Sequence, residues 1–104
     1  MTLPKANNLF ENLPSLSTGE DFSVLLNHKN VVIERIVSSR QPDTKIYNQI
    51  QDEWFILLTG KATLKVNEDI VNLQSGDYLF LPAYTPHQVL QTTSNCVWLA
   101  IHIY

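Results

Sequence analysis

The chain has 104 residues, 16% of them charged, a formal net charge of −3 at pH 7 and one cysteine. That length suits one domain with one core, and the acidic balance lacks the basic patch with which proteins grip nucleic acid. A single cysteine excludes an internal disulfide and a cysteine-cluster metal site. No apolar run is long enough for a signal peptide or a membrane span, so the expected setting is cytoplasmic, without nucleic-acid or membrane partners.

Residues 1–20 are rich in Asn, Pro, Ser and Leu and read as an irregular N-terminal arm, with a turn near residues 8–12. The folded domain is expected over 21–104. "DFSVLLN" reads as a strand, His28–Asn30 as a turn, and the β-branched "VVIERIVSS" as a second strand. "RQPDTK" is a polar loop punctuated by Pro42. "DEWFILLTG" follows as a strand. In "KATLKV", Ala62, Leu64 and Val66 alternate with Lys61, Thr63 and Lys65, the mark of a half-buried strand. "NED" is a hairpin turn returning through "IVNL". "QSGD" turns into "YLFLP", which Pro82 stops, and "AYTP" leads to "HQVLQTT". After "SN" comes the last strand, "CVWLAIHIY". Strands recur at short intervals and no segment keeps a helical period, which predicts an all-β sandwich or small barrel.

Two strands are apolar on both faces. Phe55 and Leu57 share a face with Glu53 while Trp54, Ile56 and Leu58 take the other; Val97, Leu99 and Ile101 oppose Trp98 and Ala100. One face of each needs a cover outside the barrel. The arm or a second copy of the chain could supply it, and a homodimer is expected.

The chemistry-bearing residues stand at fixed spacings. Glu53 is followed by six residues and Gly60; Gly76 is followed by five residues and Pro82, and four more lead to His87. "EWFILLTG" and "GDYLFLPAYTPH" thereby resemble the end of the first and the body of the second cupin motif, with fifteen residues between Gly60 and Gly76. The resemblance is to small single-domain bacterial cupins of unassigned function. It implies a jelly-roll β-barrel and, in the typical member, a divalent metal held by two first-motif histidines, the glutamate and the second-motif histidine.

This chain departs from that pattern. Tyr47-Asn48-Gln49 stands where the first motif has His-x-His, Gln41 where it has Gly, Tyr84 where the second motif has the Gly of Pro-x-Gly, and Gln91 where it has Asn. Carried over residue by residue, Glu53 and His87 remain as ligands, Gln49 offers a carbonyl oxygen and Tyr47 a phenol. His102, on the Trp98 face of the last strand, could replace a lost ligand or be a core histidine with satisfied nitrogens. Strand parity puts Tyr47, Gln49 and Glu53 on one side. A buried carboxylate is costly unless paired, hydrogen-bonded or metal-bound. Two readings stay open for Glu53: with His87 and Gln49 it binds zinc, iron, nickel or manganese, or it hydrogen-bonds His87 across the barrel with no metal.

The expected site is therefore the barrel interior, ringed by Tyr47, Gln49, Glu53, Tyr84, His87, Gln91 and His102, with Pro82 and Pro86 framing His87. His28 reads as solvated surface and Cys96 as packing. The function expected first is binding of a small molecule at a degenerate metal site. The alternatives are a metal-dependent enzyme of isomerase or dioxygenase type using Glu53 and His87, and a non-catalytic dimeric interaction module.

Overall fold

A computed structural model describes residues 3–104. Its strands are β1 (Glu20–His28), β2 (Val31–Ser38), β3 (Asp52–Thr59), β4 (Lys61–Val66), β5 (Asp69–Gln74), β6 (Tyr78–Leu81), β7 (His87–Thr92) and β8 (Cys96–Ile103). Turn chemistry and alternation place every one of them to within one residue. All pairings are antiparallel, in a five-stranded sheet ordered β1-β2-β8-β3-β6 and a three-stranded sheet ordered β5-β4-β7. Residues 3–19 precede β1 without regular strand, and a turn at Leu9–Asn12 is closed by Glu11 N–H donating to Asn8 O. The first two residues of the expected arm lie outside the described residues.

The two sheets face each other, and the core lies between them. Phe55 and Leu57 on β3 and Cys96, Trp98 and Ala100 on β8 meet Ala62 and Leu64 on β4 and Leu73 on β5, all buried. Burying a side chain such as Leu57 contributes about 1.5–3 kcal/mol. The indole of Trp98 stays in this core because its Nε1–H donates to Ser38 Oγ at 3.0 Å.

Alternation assigns the faces. Glu34, Ile36 and Ser38 turn inward from β2, so Arg35 turns outward. There its Nη1 donates to Leu9 O at 2.9 Å and Glu11 O at 2.7 Å, which ties the arm to the outside of the five-stranded sheet. Gly60 alone joins β3 to β4, with φ +98°. A Cβ there would lie 2.7 Å from Cys96 Sγ and 2.8 Å from Thr93 Oγ1. The motif glycine is thus required by both conformation and space.

Candidate functional site

Between the sheets lies a cavity of about 90 Å³. Ile36, Phe55, Leu64, Val89 and Trp98 form its apolar wall, and half-exposed Phe22 on β1 adds another aromatic ring. Its polar side chains include Glu20, Glu34, Glu53, Tyr47, Gln49, His87 and His102. Of the residues singled out in the sequence, the fold brings together Tyr47, Gln49, Glu53, His87 and His102.

The two acids at the head of β3 separate by parity. Asp52 turns out, and its Oδ1 accepts from Ala83 N at 2.8 Å, anchoring the loop after β6. Glu53 turns in and is only 7% exposed. Its nearest basic group is His87 Nε2, 3.8 Å from Oε1, too far for a hydrogen bond. The direct Glu53–His87 hydrogen bond expected as one alternative is therefore not made. The His87 ring is oriented from behind, since Nδ1 lies 2.9 Å from Thr85 O, the geometry of an Nδ1–H donating to that carbonyl. Nε2 is left toward Glu53. Burial pushes the Glu53 carboxyl above its ordinary value of 4.5; the fields of His102 and His87 oppose that rise, and Glu34 adds to it.

His102 is held at both ring nitrogens. Nε2 lies 2.8 Å from Glu34 Oε1 and Nδ1 lies 3.0 Å from Gln51 Nε2. The bond to Glu34, partly offset by burial, raises its pKa above 6.5. The sequence pattern missed Glu34 and Gln51 as members of the site. The signal for Glu34 was available: a lone carboxylate inside the apolar run "VVIERIVSS" requires a partner.

Tyr47 and Gln49 reach the cavity by a route other than the continuous strand their parity suggested. Residues 48–51 are irregular, and β3 begins at Asp52. Tyr47 forms an isolated bridge with His87, its N–H donating to His87 O at 2.8 Å and its O accepting from His87 N at 2.9 Å. Its ring stacks on the imidazole with centroids 5.6 Å apart. Burial, then the charges of Glu20, Asp43, Glu53 and Glu34, raise the Tyr47 phenol above its ordinary value. The Oε1 of Gln49 is buried and accepts no hydrogen bond.

Two expected residues lie outside the cavity. Tyr84 adopts φ +62° at the position where the family has glycine, and its side chain is thrown outward, leaving the residue 67% exposed. Its contribution is through the backbone, where its N–H donates to Gln49 O at 2.7 Å. Gln91 is turned away by a β-bulge. Leu64 pairs with Val89 but Thr63 pairs with Gln91, so Leu90 is an extra residue that reverses the parity. Thr92 is buried in place of Gln91, which is exposed.

Among the described residues, no group of three or more His, Cys, Asp or Glu side chains is placed to hold a metal ion. His102 has both nitrogens engaged, which leaves Glu53, His87 Nε2 and the neutral Gln49 oxygen as donors. That set does not fit the four-ligand centre implied by the motif resemblance. The paired acceptors can instead receive hydrogen bonds from a small molecule, and a ligand amine could donate to both Glu53 and His87.

No helix among the described residues is long and apolar enough to cross a membrane. A comparison with curated protein sequences finds no match. Among solved structures, the chain is similar to a "putative mannose-6-phosphate isomerase" from Ralstonia eutropha, with 37% identity, a TM-score of 0.87, and coverage of 96% of this chain and 98% of that one. It also resembles a conserved protein of unknown function from Streptococcus pyogenes, with 14% identity, a TM-score of 0.81, and coverage of 99% and 90%. An RmlC-like cupin from Shewanella frigidimarina has 14% identity and a TM-score of 0.74 over 82% of this chain and 76% of its own. These last two likenesses speak to the fold alone. The cupin-domain family profile matches residues 41–102, the stretch that carries both spaced motifs and most of the cavity wall. With the jelly-roll sheets and this match together, the chain belongs to the cupin family.

Proposed function

We propose that this protein binds a small molecule in the barrel cavity, at a position descended from the cupin metal site but lacking its full ligand set. One observation carries the reading. Glu53 is 7% exposed, lines the cavity, and has no hydrogen-bond donor within reach among the described residues. A buried carboxylate in that state is costly, and a ligand supplying a donor offsets the cost. The orphaned Gln49 Oε1 supports the same reading from the neighbouring wall.

The test is a thermal-shift screen of a broad metabolite set, run with and without chelator. A ligand at a hundred times its Kd stabilises by about 2.7 kcal/mol, and about 1 kcal/mol moves the Tm of a domain this size by roughly 4–8 °C. Chelator is expected to change nothing. A screen without a single stabilising compound overturns the reading.

The likeness to the Ralstonia protein, at 37% identity over nearly all of both chains, favours a second reading: a metal-dependent isomerase using Glu53 and His87. It requires stoichiometric metal that is lost in His87→Ala. A homodimer is also proposed. Its support is the outer face of the five-stranded sheet, where Ile101, Trp54 and Phe80 form one cross-strand row, and where Phe80 and Tyr78 are 53% and 63% exposed.

A further inference from the structure

Resting on the proposal that the cavity binds a small molecule, we infer that its ligand carries a positive charge: a small alkylated ammonium group that enters the barrel to meet Glu53. The cavity lining sets three carboxylates, Glu20, Glu34 and Glu53, against two histidines, His87 and His102, and holds no lysine or arginine. Glu34 is already engaged by His102 at 2.8 Å. Glu53 is more than nine-tenths buried, receives no hydrogen bond, and faces the cavity. Gln49 Oε1 is a second unmatched acceptor. Both oxygens call for a donor or a cation.

The remaining wall fits the same guest. Phe22, Phe55 and Trp98 line the same cavity as the carboxylates, and aromatic rings attract an ammonium through their quadrupole, adding to the attraction of the carboxylate charge. Tyr47 is otherwise occupied, with His87 stacked on it and Lys45 Nζ 5.3 Å from its centroid; Lys45 does not itself line the cavity. Burial first, and then the charges of Glu20, Asp43, Glu53 and Glu34, raise the Tyr47 phenol at the cavity wall.

Charge argues against a sugar phosphate inside the barrel. A phosphate would be desolvated among carboxylates with no guanidinium or ammonium to receive it.

The experiment is isothermal titration of the full chain, at mildly alkaline pH, with three probes: choline, its uncharged isostere 3,3-dimethylbutan-1-ol, and mannose 6-phosphate. Choline is expected to bind at least about tenfold more tightly than the alcohol, with no heat from the phosphate. Glu53→Gln, which keeps the shape of the side chain, is expected to abolish that preference, and Glu20→Gln to reduce it. Equal binding of choline and alcohol overturns the inference while leaving a small-molecule site standing, as does tighter binding of mannose 6-phosphate. If none of the three binds, the inference also falls. The cavity reading falls with it only if the metabolite screen is silent too.

Discussion

Glu53 and His102 are register partners on β3 and β8, yet each is served by different groups. His102 reaches diagonally to Glu34 on β2 and backward to Gln51, and Glu53 is left facing the cavity with His87 3.8 Å away. The fold thus spends one histidine on holding a carboxylate and leaves a second carboxylate without a bonded partner. This division separates a structural pair from a candidate ligand-binding group within one small barrel.

Removing Glu34 should therefore cost stability rather than ligand recognition. Glu34→Ala leaves the His102 Nε2 donor buried without an acceptor, a loss of about 1–3 kcal/mol. Glu34→Gln retains an acceptor and should cost less. Chemical denaturation of the two variants checks this; equal losses would show that the hydrogen bond to His102 is not what Glu34 supplies.

The strands and the Glu53–His87 pair were legible in the sequence because alternation and motif spacing are local. Ala62 and Leu64 announce their face, and the intervals from Glu53 to Gly60 and from Gly76 to His87 carry the family resemblance. What stayed hidden depends on pairing. The bulge at Leu90 arises from register against β4 and turns Gln91 outward, against its two-residue spacing from Val89. Tyr84 sits in a left-handed conformation that its residue type disfavours. The bond from Gln51 to His102 joins residues 51 positions apart, beyond the reach of any local pattern.

The pH dependence follows from shifts of one sign. Burial raises Glu53 above 4.5, and the Glu34 bond raises His102 above 6.5. The folded state then holds protons more tightly than the unfolded chain in both cases. These contributions are fully present below the unfolded values and are lost as pH rises through the folded ones. Thermal stability of the ligand-free protein should decline as pH rises from about 4.5 through the range above 6.5. Glu53→Gln should flatten the lower part of that decline, while cation affinity in the wild type should rise over the same range as Glu53 ionises and His102 loses its charge. A Tm that climbs with pH across this window would contradict the assignment.

The two motif glycines should not be equivalent. Both have positive φ, Gly60 at +98° and Gly76 at +93°, but only at Gly60 would a Cβ collide with neighbours. Gly76→Ala should cost about 1–2 kcal/mol for the left-handed conformation alone. Gly60→Ala adds contacts under 3 Å to Cys96 and Thr93, both anchored by hydrogen bonds around Lys61, and should cost clearly more. The variant Cys96→Ala, which removes the nearest clashing atom, should recover part of the Gly60→Ala loss in a double-mutant cycle.

The donor set predicts weak metal affinity. Glu53 and His87 Nε2 are the ionisable ligands left once His102 is committed to Glu34 and Gln51, and two ligands with a neutral amide oxygen fall below the set that holds zinc firmly. Elemental mass spectrometry on untagged protein purified without chelator should find well under one equivalent of zinc, iron, nickel or manganese. His87→Ala should then leave metal content and Tm in added metal unchanged. One equivalent, lost in that variant, would restore the isomerase reading and make Gln49 Oε1 the first candidate for the third ligand.

The outer face of the five-stranded sheet gives the last prediction. The arm reaches this side through Arg35 on β2, at Leu9 and Glu11, whereas β6 lies at the far edge of the same sheet. Phe80 and Tyr78, cross-strand partners of Trp54 and Ile56, are more than half exposed there. An apolar aromatic row beside an unpaired strand edge is unfavourable for an isolated chain. Light scattering at micromolar concentration should give the mass of a dimer, and Phe80→Lys should shift it to a folded monomer with an unchanged far-UV circular dichroism spectrum. A wild-type monomer would refute the dimer and leave that row as exposed surface.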